Sequence, residues 1–152
     1  MTLTQTDATL LRRSYDQART GFDEGGCPIG SVLARDDEIP GEGRNRRVQA
    51  GDPITHGEMD ALQRAGRQAS YAGTAIYTTL SPFMMCAGTL VPFGMPRVII
   101  GENRNCRSNE AFLRSRGTEV IVADDPDCTA FMARFIAEKP TLWAEDTPEN
   151  PA

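Results

Sequence analysis

The chain has 152 residues, of which 39% are apolar, so it is long enough to bury one hydrophobic core and short for two domains. Its 16 Lys and Arg face 21 Asp and Glu, and the net charge of −5 disfavours a surface for long nucleic acids. No apolar run approaches the roughly 18 residues that span a membrane, and the N-terminus is too polar for a signal peptide. These properties predict one cytoplasmic domain over residues 1–152 that acts on a small neutral molecule, with neither nucleic acid nor membrane as partner.

Helical and strand-like patterns alternate along the chain. The first helix is predicted from apolar residues at spacings of three and four, which are Ala8, Leu11, Tyr15, Ala18 and Phe22. It should end at Gly25 and Gly26, where a left-handed cap is easy. A strand is predicted at 28–34, the stretch 36–45 is rich in turn residues, and a weaker second strand is predicted near 43–49.

The second half of the chain carries three β-branched runs, which predict strands at 74–80, 97–101 and 118–123. Helices are predicted between and beside them at 57–69, 83–93, 108–115 and 126–138, and the tail from Thr141 should be loosely structured. Strands separated by helices of this length form a sheet that is covered on both faces. The expected fold is therefore α/β, with three α/β/α layers and a mixed sheet of about five strands.

Two short motifs at predicted helix starts carry chemistry. The only histidine of the chain, His56, stands two residues before Glu58 in "THGE", and Cys86 closes "SPFMMC", in which Pro82 suits the first position of a helix. "THGE" also fits a capping box, in which Thr55 and Glu58 would each bond the other's backbone N–H. Helix starts that follow strand ends meet in a crevice at the carboxyl edge of an open sheet. His56, Glu58 and Cys86 are thus expected in one crevice.

A longer series of segments resembles a known family. The segments are "EGGCPIG" at 24–30, "GRNRR" at 43–47, "HGE" at 56–58, "YTTLSP" at 77–82, "MCAG" at 85–88, "GMPRVIIGENRN" at 94–105, "RGTEVIVADD" at 116–125 and "LWAED" at 142–146. In this order they resemble the zinc-dependent nucleobase deaminases of cytidine deaminase-like fold, whose signature is H-x-E followed by P-C-x-x-C. The likeness is greatest to the fungal-type cytosine deaminases.

The resemblance implies hydrolytic deamination in pyrimidine salvage, with one zinc ion per chain and a homodimer. His56 and Cys86 would be metal ligands, and Glu58 would move protons between the zinc-activated water, a ring nitrogen and the departing amino group. Asn45 matches the base-binding asparagine of the family. Trp143 matches an aromatic wall, and Asp146 matches a carboxylate that reads the exocyclic amine. Without the resemblance these last three residues would be read as turn, packing and solvated tail.

Two positions depart from the family pattern. Phe83 stands where the first cysteine of P-C-x-x-C belongs, which leaves two matched protein ligands where catalytic zinc normally has three. Cys27, in a segment that would border the pocket, is a candidate for the missing ligand. Cys106 stands where the fungal-type enzyme has an aromatic residue over the pocket, and a smaller side chain there would admit a larger ring.

Three hypotheses therefore compete. The preferred one is a zinc-dependent deaminase of cytosine or a close analogue such as isocytosine, with guanine as a purine alternative. The second is an impaired variant that binds a base but holds zinc poorly because of Phe83. The third, an enzyme that edits nucleic acid, is disfavoured by the acidic charge and the lack of a basic run.

Overall fold

The computed structural model describes residues 2–106 and 108–147 as a five-stranded mixed sheet with helices on both faces. The strands are β1 (Gly30–Arg35), β2 (Glu38–Arg44), β3 (Thr74–Leu80), β4 (Arg97–Glu102) and β5 (Glu119–Val122), in the spatial order β2-β1-β3-β4-β5. The helices are α1 (Gln5–Asp23), α2 (Arg47–Ala50), α3 (Gly57–Ala65), α4 (Met84–Phe93), α5 (Glu110–Ser115), α6 (Pro126–Glu138) and α7 (Pro140–Asp146). β3, β4 and β5 are parallel, and β1 is antiparallel to both of its neighbours.

Alternation along the strands sorts the core into two layers. Ile76 on β3 and Val98 and Ile100 on β4 face one side, where they pack with residues of α3, α4 and α5. Tyr77 and Ile99, their neighbours in sequence, face the other side and pack with α1. A third cluster at one end of the sheet joins the chain before β1 to α6 and α7. The predicted three-layer arrangement is therefore present in the structure.

The first helix was predicted in the right place, but its buried face is different. Asp7 and Ser14 are buried, whereas Ala8 is exposed and Phe22 is only partly buried. Ser14 lies over Gly30, where a Cβ atom would come within 2.0 Å of the Ser14 carbonyl oxygen. Small and hydrogen-bonded side chains let α1 approach the sheet closely. A prediction from apolar residues alone therefore does not find the buried face of α1.

The second strand was placed too late in the sequence. β2 occupies Glu38–Arg44, the stretch that was read as turn-rich, and 47–50 is a short helix. β2 is an edge strand, which is where a strand tolerates Pro40. Its glycines are required by packing, because a Cβ atom at Gly41 would lie 2.4 Å from the Ala61 carbonyl oxygen of α3. Glycine, which usually indicates a turn, is present here because it allows α3 to lie close to β2.

The tail was also predicted wrongly, as far as it is described. Residues 140–146 form α7, whose Trp143 is 4% exposed and packs against the cluster that joins α6 to the sheet. The part of the tail from 148 to 152 lies outside the described residues. Within the described ranges, no helix is both long and apolar enough to cross a membrane.

Asp7 links α1 to the sheet through a buried network. Its carboxylate accepts hydrogen bonds from the Thr4 amide at 3.0 Å, the Tyr77 hydroxyl at 2.7 Å and the Arg97 guanidinium at 3.2 Å. Burial by itself raises the pKa of Asp7, but these hydrogen bonds and the charge of Arg97 outweigh it and hold the pKa well below its usual range. The ionised carboxylate therefore stabilises the attachment of α1 to β3 and β4.

Asp7→Asn is expected to lower the free energy of unfolding near neutral pH by about 2 kcal/mol, because it removes a buried charge and leaves Arg97 without its partner. The folded pKa of Asp7 lies below the unfolded value of about 3.9, so its contribution is complete above about pH 5 and is lost as the pH falls towards the folded pKa. Urea unfolding at about pH 7 and about pH 3 should therefore give a smaller difference at the lower pH.

Glu138→Gln is the matched control, since it breaks only the exposed ion pair with Arg134. It should change the free energy of unfolding by less than about 0.5 kcal/mol. An Asp7→Asn effect of the same size at both pH values would contradict the assigned role of the charge.

Candidate active site

His56, Glu58 and Phe83 lie at the carboxyl edge of the parallel strands, just beyond the end of β3. A small cavity of about 10 Å³ lies there, and its lining residues are Ile29, His56, Glu58, Leu80, Ser81 and Phe83. This volume is close to the minimum that holds one water molecule. Larger open concavities, of about 670 and 530 Å³, lie on the outer face of α1 and at the opposite edge of the sheet. The small cavity is the one that contains the predicted catalytic group.

The start of α3 places His56 and Glu58 in the site. His56 is the N-cap residue, without a side-chain capping bond, and Glu58 is the second residue of the helix. Thr55 instead donates its hydroxyl hydrogen bond to Asp52, at 2.9 Å. The capping-box interpretation of "THGE" is therefore wrong, because the helix begins one residue later than that motif requires. Glu58, which is 3% exposed, is free to face the cavity.

The start of α4 places Cys86 beside His56. Phe83 is the N-cap residue and α4 begins at Met84, so Pro82 precedes the helix and does not occupy its first position. Cys86, in the first turn, is fully buried, and its Sγ lies 3.8 Å from Nδ1 of His56. The predicted convergence of the two helix starts is present. The segment before the helix is held by Ser108 and Asn109, which both donate to the Pro82 carbonyl oxygen.

Burial and neighbouring charge set the ionisation of the site. Burial raises the pKa of Glu58, and although His56, the backbone N–H of Glu58 and Cys86 act in the opposite direction, the pKa remains raised. Burial lowers the pKa of His56, but the carboxylates of Asp146 and Glu58 outweigh it and raise the pKa. A buried carboxyl group with a raised pKa suits the transfer of protons in both directions.

Asn45, which follows β2, is buried and hydrogen-bonded to a residue that lines the cavity. Its Oδ1 accepts from the Arg47 amide at 3.1 Å, and its backbone N–H donates to the carbonyl oxygen of Ile29, the cavity-lining residue. Its Nδ2 is buried and has no hydrogen-bond partner among the described residues. A buried donor of this kind is costly unless something accepts from it. That Asn45 binds the base stays a prediction, with which this unpaired donor is compatible.

The C-terminal helix closes the site with Trp143 and Asp146. Asp146 Oδ1 lies 3.2 Å from Nε2 of His56 and 3.4 Å from Nε of Arg47. Phe83 lies between the aromatic groups, with its ring edge-to-face to His56 at 5.6 Å and to Trp143 at 6.1 Å between centroids. His56, Phe83, Trp143 and Asp146 are therefore in contact with one another, although Asp146 is 90 residues from His56 in sequence.

The donor set matches a catalytic zinc ion only in part. Two ligands of one tetrahedral zinc are about 3.5 Å apart, and the separation of 3.8 Å between His56 and Cys86 is close to this value. The Phe83 ring, which cannot bind a metal, contacts the ring of His56. Among residues 2–106 and 108–147, no group of three or more His, Cys, Asp or Glu could hold a metal ion. The described residues therefore contain two of the three protein ligands that a catalytic zinc ion normally has.

Cys27 does not complete that set. Its side chain packs in the apolar cluster with Ile29, Leu80 and Trp143, and it belongs to no group of three possible ligands among the described residues. Cys106 packs at the edge of the same cluster, as does Phe83. That Cys106 borders the pocket and admits a larger ring stays a prediction.

Two site residues were not anticipated from the sequence. Arg47 lies against Asp146, and its side chain is 13% exposed. Glu110, which is buried, accepts hydrogen bonds from the Ser81 hydroxyl and from Asn103. Arginine and glutamate are common on surfaces, and no spacing in the sequence distinguishes these two from their neighbours.

Comparisons with known proteins agree with this geometry. The family model for the cytidine and deoxycytidylate deaminase zinc-binding region matches residues 4–102. A cytosine deaminase from Candida albicans is 45% identical over 150 residues, which cover 97% of this chain and 100% of that protein. A tRNA-specific adenosine deaminase from Buchnera aphidicola is 32% identical over 111 residues, which cover 71% of this chain and 74% of that protein.

A solved structure of a guanine deaminase from Nitrosomonas europaea matches with a TM-score of 0.71 at 18% identity, over 90% of this chain and 87% of that one. At this identity the likeness bears on the fold alone, and it confirms the predicted cytidine deaminase-like arrangement. The match over residues 4–102 and the identity to the Candida albicans protein confirm the predicted family and support zinc as its cofactor. The chain belongs to the cytidine and deoxycytidylate deaminase family, which is defined by a zinc-binding region.

Proposed function

We propose that the protein catalyses the hydrolytic deamination of a free nucleobase, and that this base is cytosine. The observation that carries the proposal is the 45% identity to the Candida albicans cytosine deaminase, which spans the whole of that protein. The geometry supports it, because the buried carboxyl group of Glu58 lines a cavity, and Asn45 and Trp143 each contact a residue that lines it. Water replaces the exocyclic amino group in this reaction, and the products are uracil and ammonia.

Three side chains would bind and orient the base. Asn45 would donate from its free Nδ2 to the carbonyl oxygen of the pyrimidine, which satisfies a donor that otherwise has no partner. Asp146 would accept from the exocyclic amino group, and Trp143 would pack against the ring. In the present arrangement Asp146 contacts His56 and Arg47, so these two side chains would position the carboxylate before a base enters.

Glu58 would move the protons. It would take a proton from the attacking water, deliver one to the ring nitrogen, and later protonate the departing amino group. Burial raises its pKa, which favours the protonated form that the donation step requires. No other carboxylate lines the cavity among the described residues.

Two features of the site oppose efficient turnover. The cavity of about 10 Å³ is far below the roughly 300 Å³ at the low end of small-molecule pockets, so a base enters only if Phe83 or Trp143 moves. The protein ligand set is also incomplete, as described above. Phe83 contributes to both features, because it lines the cavity and stands where the family has a metal-binding cysteine. Substitution of Phe83 is therefore the most direct test of the activity.

Glu58→Gln is expected to reduce deamination of cytosine by at least about a hundredfold, because the amide cannot shuttle protons. Cytosine binding and the free energy of unfolding should stay close to those of the unaltered protein, since the two side chains have the same shape. Ammonia release and equilibrium dialysis measure the two quantities. A smaller loss of turnover would show that Glu58 does not have the assigned role.

Phe83→Cys is expected to raise both the zinc content and the rate of cytosine deamination. The substitution restores P-C-x-x-C and gives the metal a third protein ligand at a helix start, where a thiolate is favoured. Zinc per chain can be measured by atomic emission on protein purified without chelators, beside an ammonia-release assay.

Phe83→Ala is the matched control, because it removes the ring without adding a ligand. We expect it to enlarge the cavity and leave the zinc content unchanged, which separates pocket size from metal binding. If the unaltered protein already holds one tight zinc per chain and Phe83→Cys changes neither quantity, another group supplies the third ligand. The ligand set assigned here would then be incomplete.

The protein is expected to form a homodimer, as the family resemblance implies. Among the described residues, exposed apolar side chains include Val48, Ile54 and Met84, each within two residues of Arg47, His56 or Phe83 in sequence. Sedimentation equilibrium at micromolar concentration should give twice the chain mass, and Ile54→Asp should weaken the association. A stable monomer would remove this part of the proposal and leave the fold unaffected.

A further inference from the structure

Asp60 connects α3, which carries Glu58, to the segment that carries Asn45. Neither the family signature nor the proposed chemistry gives Asp60 a role. It lies in the first turns of α3, two residues after Glu58, and is 4% exposed. Its Oδ2 accepts from the Arg44 amide at 2.9 Å and from Nε of Arg46 at 2.9 Å. The single carboxylate oxygen thus binds the residue before Asn45 and the residue after it.

Other contacts keep this short segment beside α3. The Arg46 amide donates to the carbonyl oxygen of Thr55, the residue before His56, at 2.9 Å. A Cβ atom on Gly43 would lie 2.4 Å from Oδ2 of Asp60, so the glycine leaves the space that the carboxylate occupies. The side chain of Asp60 is therefore packed against β2 as well as hydrogen-bonded to the residues that follow it.

We propose that Asp60 is a positioning residue, which holds Asn45 at a defined place relative to Glu58 so that one base can contact both. Asn45 orients the base and Glu58 acts on it, and the two side chains belong to separate elements that only packing and hydrogen bonds hold together. Small displacements of a positioning group have large effects on binding and rate. The proposal rests on the proposed function in one respect, which is that Asn45 binds the base.

Arg64 is a second arginine that binds the Asp60 carboxylate, and it provides a matched comparison with Arg46. Its Nε lies 3.1 Å from Oδ1 and 3.2 Å from Oδ2 of Asp60, but it is one turn further along α3 and does not flank Asn45. Its side chain is 51% exposed, whereas that of Arg46 is 22% exposed. If Asp60 only neutralises nearby charge, Arg46 and Arg64 are equivalent. If Asp60 positions Asn45, only Arg46 matters.

The experiment compares Arg46→Gln, Asp60→Asn and Arg64→Gln with the unaltered protein. Cytosine binding is followed by the fluorescence of Trp143, the only tryptophan, and backbone order is followed by amide hydrogen exchange over residues 44–47. Arg46→Gln and Asp60→Asn should each raise the Kd by at least about fivefold, the scale of one lost hydrogen bond, and should speed exchange in this segment. Arg64→Gln should change neither quantity.

The double variant Arg46→Gln with Asp60→Asn provides a readout that a general loss of stability would not imitate. Its Kd should be close to that of either single variant, since the two side chains act through one contact.

Equal effects of Arg46→Gln and Arg64→Gln on binding and exchange would overturn the proposal, and so would an unchanged Kd in Asp60→Asn. If the unaltered protein and Phe83→Cys both bind no base, the proposed function fails. Selective exchange in Arg46→Gln and Asp60→Asn would then still support the positioning of Asn45.

Discussion

The close contact between α3 and β2 is the constraint on which the site depends. A Cβ atom on Gly41 would collide with the backbone of α3, and one on Gly43 would collide with Asp60, so the helix can lie directly on the strand. This contact places the start of α3, with His56 and Glu58, beside the end of β2, where Asn45 follows. Asn45 and Glu58, for which base binding and proton transfer are proposed, therefore lie on two segments that are packed and hydrogen-bonded together.

Burial gives the groups of the site their chemical character. Glu58 is 3% exposed and Cys86 is fully buried, so the ionised forms of both are opposed by the loss of solvent. Charge is balanced across elements, because Asp146 from α7 approaches His56 from α3 and Arg47 from α2. The environment that makes Glu58 a suitable proton carrier thus comes from three helices and the loops before them.

Phe83 shows how one residue changes such a site without disturbing the fold. As the N-cap residue of α4 it needs no particular side chain, since the segment is held through the Pro82 carbonyl oxygen and through the bond from Ser81 to Glu110. Its ring packs edge-to-face between His56 and Trp143 and joins the apolar cluster at the end of the sheet. Aromatic packing therefore surrounds His56 at this point, while the separation of 3.8 Å between His56 Nδ1 and Cys86 Sγ is compatible with a shared ion.

Local patterns in the sequence determined most of the architecture and the identity of the central residues. The β-branched runs gave β3, β4 and β5 because these largely buried strands are rich in Val, Ile and Thr, and the two motifs located His56, Glu58 and Cys86 at helix starts. Tertiary structure alone decided the place of β2, the helical state of residues 140–146 and the contacts of Arg47 and Asp60. In β2, glycine and proline were selected by the approach of α3 and by the edge position, which reverses their usual meaning as turn residues. Asp60 and Arg47 act through partners on other elements, and such contacts leave no periodic signal in the chain.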